Sequence, residues 1–69
     1  MVEIFKTNVK GTTNARMIIR ELSGIFPGYK INFDLSDRDK ILRIEGNDIP
    51  GQLIVTILNS FHYSCEQLQ

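Results

Sequence analysis

Apolar and polar residues alternate along three stretches of this chain, and in two others the apolar residues recur every three or four positions. From Val2 to Val9, Phe5, Thr7 and Val9 fall on one side and Ile4, Lys6 and Asn8 on the other, which is the period of a half-buried strand. Lys10-Gly11-Thr12-Thr13 reads as a turn, and either threonine is suited to cap the next segment. From Asn14 to Phe26 the apolar positions are Ala15, Ile18, Ile19, Leu22, Ile25 and Phe26, one face of a helix, with Arg16, Arg20 and Glu21 left for water. Pro27-Gly28 stops that helix, since proline cannot continue it and glycine accepts the turn.

Tyr29 to Leu35 alternates strictly, with Tyr29, Ile31, Phe33 and Leu35 against Lys30, Asn32 and Asp34. Ser36-Asp37-Arg38-Asp39-Lys40 is a polar hairpin connection, and Ile41 to Glu45 returns as a strand with Leu42 and Ile44 on its core side. Gly46-Asn47-Asp48 closes it with turn residues. A second helix is expected from Pro50 to Phe61, with Ile49, Leu53, Ile54, Ile57, Leu58 and Phe61 as its apolar stripe. The β-branched run Ile54-Val55-Thr56-Ile57 argues for a strand instead, but the spacing of three and four favours the helix. Tyr63 to Leu68 is long enough for a short last strand.

The order is therefore βαββαβ within one domain, residues 1–69. Each strand has one apolar side to bury, and the compact solution is an α+β fold: one antiparallel four-stranded sheet with both helices on one face. A chain of 69 residues buries only about 60% of its unfolded surface, so the core must be efficient.

Composition changes the picture mainly by exclusion. The apolar fraction of 42% and charged fraction of 23% are those of an ordinary globular domain. Formal net charge is zero and Lys and Arg never occur three in a row, which argues against nucleic acid or a basic membrane-binding patch. No apolar run approaches the ~20 residues of a membrane span. The first residues show no basic leader followed by an apolar stretch, and the single Cys65 cannot form an internal disulfide, so a reduced cytoplasmic setting is expected.

Several stretches resemble the heavy-metal-associated domain family, the ferredoxin-like modules of copper chaperones and metal-transporting ATPases. Val9-Lys10-Gly11-Thr12-Thr13 resembles the V-x-G-M-T of that family, and Leu22 to Tyr29 its L…L-P-G-V helix exit. Ile31 through Gly46 resembles its hairpin, and Phe61-His62-Tyr63 its late A-G-Y. The resemblance spans nearly the whole chain and implies a ferredoxin-like βαββαβ sandwich. The family's G-M-x-C-x-x-C loop places two thiolates where soft Cu(I) can be held. Here the two cysteine positions are Asn14 and Met17, and the methionine beneath the loop is Thr12. The resemblance thus implies the fold without the metal motif.

Three clusters remain to be weighed. Met17 with the H-x-x-C pair His62 and Cys65 could form an unusual Cu(I) or Zn site, but a helix-capping histidine and a core cysteine explain the pair more simply. Lys10, Arg16 and the start of the first helix could bind an anion, against the simpler reading of a capped, solvated helix end. Asp34, Asp37 and Asp39 lack the spacing of a calcium loop and read as a solvated turn. No general base stands with an orienting partner near Ser64 or Cys65, so no catalytic residue is expected. The open sheet side, with Ile4, Lys6, Asn8, Lys30, Asn32, Asp34, Ile41, Arg43 and Glu45, has none of the stacking aromatics of an RNA-binding sheet.

The expectation is a non-enzymatic binding or regulatory module without a cofactor, a monomer or weak homodimer that meets a protein partner. Its interaction loop is Gly11, Thr12, Thr13, Asn14, Arg16 and Met17, and the open sheet face is a second candidate surface. The alternatives are altered Cu(I) or Zn binding through Met17, His62 and Cys65, and a dimeric small-molecule-binding regulatory domain.

Overall fold

The computed structural model describes residues 1–68. Its elements are β1 (Val2–Thr7), α1 (Thr12–Ile25), β2 (Lys30–Asp34), β3 (Ile41–Glu45), α2 (Gly51–Ser60) and β4 (Cys65–Leu68). The strands form one antiparallel sheet in the order β2-β3-β1-β4, giving the α+β, ferredoxin-like βαββαβ arrangement. The period-two stretches became strands because each has one apolar row to bury. Phe5, Leu42 and Ile44 supply that row at full burial from the central pair. In register, Phe5 lies opposite Leu42, and Leu42 opposite Phe33 on the other side.

The helices close this face. Ala15, Ile18 and Leu22 of α1 and Ile54 and Leu58 of α2 are buried against the sheet row. α1 packs beside β2 and α2 beside β4. Val9, just beyond β1, is fully buried too and anchors the chain as it turns toward α1. Tyr29, Ile31, Phe33 and Cys65 are half-buried against this core. Tyr29 and Phe33 therefore lie on the helix-covered side, and the aromatic-free open face is as its alternation predicts.

Several boundaries differ from the pattern. β1 ends at Thr7, two residues short of Val9, because the Thr7 side chain accepts the Val9 N–H (3.2 Å) and bends the chain there. β2 and β4 are also shorter than their alternation suggests. Pro50 is the residue before α2, its carbonyl accepting from the Ile54 N–H at 3.0 Å, so it caps rather than opens the helix. Within the expected apolar stripes, Ile25 (53% exposed), Leu53 (46%) and Phe61 (38%) remain largely in water. Ile25 ends α1, Leu53 lies in the first turn of α2 and Phe61 follows its last residue.

The β2–β3 connection is built from local side-chain bonds. Asp34 Oδ1 accepts from the Ser36 hydroxyl (2.6 Å) and N–H (3.2 Å), and Asp37 Oδ1 from the Asp39 N–H (2.8 Å). These bonds favour the ionised carboxylate, the Ser36 hydroxyl foremost, and hold the Asp34 acid below its ordinary pKa. Among the described residues no helix is long and apolar enough to cross a membrane.

Candidate functional site

The segment between β1 and α1 is fixed from three directions. Thr7, 6% exposed, donates its hydroxyl to the Lys40 carbonyl (2.6 Å) while its N–H bonds the Asp39 carbonyl (3.0 Å). Asn8 Oδ1 accepts the Ser64 N–H at 2.9 Å, tying the segment to the residue before β4. Val9 is buried beneath. Among the described residues no buried side-chain nitrogen or oxygen lacks a hydrogen-bond partner, the Thr7 hydroxyl included.

Gly11 then adopts φ 84°, the left-handed region that glycine enters without steric cost. The helix begins at once, at Thr12, with Gly11 as its cap and the Gly11 carbonyl accepting from the Ala15 N–H. Neither threonine caps it, contrary to expectation. Both lie inside the first turn rather than at the cap position, from which a hydroxyl accepts an N–H two or three residues further on, and neither makes such a bond. Asn14 instead donates its amide to the Lys10 carbonyl at 2.9 Å, closing the loop onto the first turn. No acidic residue stands in that turn, so the positive end of the helix is left uncompensated.

Burial of Ala15, Ile18 and Leu22 turns the opposite side of α1 to solvent. There Thr13, Arg16, Met17 and Arg20, at helical spacings of three and four, line an open depression of about 290 Å³. Met17 is 49% exposed. Among the described residues neither Arg16 nor Arg20 has a carboxylate within ion-pair distance, whereas Lys6 pairs with Asp39 (3.8 Å) and Arg43 with Glu45 (4.0 Å) elsewhere. Of the expected interaction loop, Thr13, Arg16 and Met17 share this face, and Gly11, Thr12 and Asn14 form the exposed turn leading to it. Arg20 is the residue the sequence reading left out. Its place one turn beyond Arg16, on the side away from Leu22, was the available signal.

The soft-ligand trio is spread over three parts of the fold: Met17 on α1, His62 just after α2 and Cys65 on β4. Met17 projects from the outer face of α1, away from the core. Cys65 lies opposite Thr7 in the β1–β4 register and packs against that core. Burial pushes its thiol up to about 11, so it is a protonated thiol at neutral pH. His62 is exposed at φ 70° immediately after α2. Its contribution to the helix end comes from its backbone, not the expected side chain: its N–H bonds the Asn59 carbonyl (2.9 Å) while the Tyr63 N–H bonds the Leu58 carbonyl (3.1 Å). That pair of bonds is the Schellman closure, with His62 in the left-handed position usually given to glycine. Among the described residues, no three His, Cys, Asp or Glu side chains gather as a metal site.

Comparison of the chain with models of known families, with curated proteins and with solved structures gave no match.

Proposed function

We propose that this chain is a non-catalytic binding module, resembling a heavy-metal-associated domain whose loop has lost its thiols, and that it meets a protein partner through the start and outer face of α1. One observation carries this: Arg16 and Arg20 stand one turn apart on an exposed face beside Met17, with no carboxylate partner among the described residues. Two like charges at this spacing destabilise a helix by roughly 0.2–0.5 kcal/mol. A local choice that works against the fold is typical of a surface used for something else. The mixture of guanidinium groups around a flexible, polarisable thioether suits a partner that presents acidic side chains about an apolar one.

The sheet's open face supports the same assignment by contrast. There Lys6 pairs with Asp39 and Arg43 with Glu45, so these two cations have a carboxylate within the molecule.

The test is a photo-crosslinking residue placed at Met17 and, separately, at Asn32 on the open face, in extract of the native cell. Crosslinking to a defined protein from Met17, lost on Arg16→Glu, is the expected result. Crosslinking from Asn32 alone, or from Met17 but indifferent to Arg16→Glu, would sink the assignment. Amide NMR with Cu(I) and Zn(II) under a competing chelator is the companion experiment. Saturable shifts confined to residues 11–17 and 62–65 would replace the protein-contact function with a metal one.

A further inference from the structure

The strand order leaves β2 and β4 as the two edges of the sheet, each with unpaired backbone groups along one side. Their sequences treat a second copy of the chain differently. Opposed residues in an antiparallel pair must share a face, so two-fold pairing of an edge strand with its own copy centres on a single residue. For β4, centring on Glu66 sets Glu66 against Glu66, and centring on Gln67 sets Glu66 against Leu68. The first is repulsive and the second leaves a carboxylate facing an apolar side chain. In addition, the Ser64 N–H at the start of this edge is already engaged by Asn8.

β2 is self-complementary. Centring on Asn32 places Lys30 opposite Asp34, Ile31 opposite Phe33 and Asn32 opposite Asn32, and the symmetry makes each unlike pair occur twice. The unlike charges lie on the open face, and the apolar pairs lie on the helix-covered face, where Ile31 and Phe33 are only half-buried. Among the described residues neither Lys30 nor Asp34 is in an ion pair. Charges on an edge strand ordinarily guard it against pairing, but opposite signs at positions related by the two-fold do not guard it against itself.

We infer that β2 is a homodimerisation edge, joining two copies of this chain into one continuous eight-stranded antiparallel sheet with both helical layers on the same side. This is independent of the partner surface on α1, whose outer face points away from the sheet.

The test is a concentration series in the analytical ultracentrifuge on the wild-type protein, Lys30→Asp, Asp34→Lys and an equimolar mixture of the two variants. The wild type associates to a dimer. Each variant alone weakens association by about tenfold or more, because two attractive pairs become two repulsive ones. The mixture recovers it, since a chain with two aspartates then faces a chain with two lysines. Recovery in the mixture also shows that both variants are folded. A wild type that stays monomeric at the highest concentration, variants that dimerise like the wild type, or a mixture no more associated than its parts while both melt cooperatively, would each overturn the inference.

Discussion

The two helices cover the same sheet but are finished in opposite ways. α2 carries no charged residue, buries Ile54 and Leu58, and closes at its C-terminal end with the complete pair of bonds from His62 and Tyr63. Its sequence is used up by packing and by ending cleanly. α1 buries Ala15, Ile18 and Leu22 as thoroughly and, like α2, begins without a side-chain cap or an acidic residue, yet it turns two unpaired arginines and Met17 to solvent. The difference separates residues that make the fold from residues that the fold merely carries. On α2 almost every feature has a structural cause within the molecule. On α1 the outer face has none.

Substitutions can break or sharpen this contrast. The largest effect is expected at Leu58, fully buried and with its carbonyl accepting the Tyr63 N–H: Leu58→Ala lowers unfolding free energy by about 2–5 kcal/mol in urea. Met17→Ala on the outer face of α1 changes it by less than about 0.5 kcal/mol. Comparable losses at the two sites would erase the distinction. Next comes Thr7, whose buried hydroxyl serves the Lys40 carbonyl and the Val9 N–H. Thr7→Val strands both and costs about 1–3 kcal/mol, with faster amide exchange at Val9 as the local sign.

At His62 the sign reverses. A non-glycine residue at φ 70° pays a steric cost that glycine avoids, so His62→Gly raises stability by about 0.5–1 kcal/mol. A loss there would mean that the imidazole contributes contacts to the end of α2 after all. Cys65 gives a pH dependence rather than a single number. Burial raises its thiol from 9.0 to about 11, so the native state holds the proton more tightly than the unfolded chain. Its contribution to stability is full below about pH 9 and is lost as pH rises through about 11. Iodoacetamide alkylation at pH 8 should therefore be slower in the native protein than in urea, and Cys65→Ser should flatten the alkaline limb of the stability curve.

Much of this architecture was legible in the residues. Strict alternation in β2 and β3 and the 15, 18, 22 spacing in α1 dictate burial, because one periodicity alone brings all the apolar side chains to a single layer. The β-branched run in α2 was no obstacle, since Ile54 and Leu58 gain more by facing the sheet than propensity opposes. What could not be read were features set by backbone angles. The pattern offers Thr12 and Thr13 as caps, but the positive φ of Gly11 starts the helix before them. His62 suggests a side-chain role, but its left-handed backbone performs the closure. The candidate surface was half visible: the loop residues were named and Arg20 was placed facing water, but Arg20 was not grouped with Arg16 and Met17.

The basic face of α1 is proposed to serve recognition and not folding. Urea unfolding of Arg16→Glu tests it most directly. Exchanging a repulsive pair for a Glu–Arg pair at a spacing of four should stabilise the protein by about 0.5 kcal/mol, an effect that fades at high salt. A loss of 1 kcal/mol or more would show that Arg16 holds the fold together, and would contradict the claim.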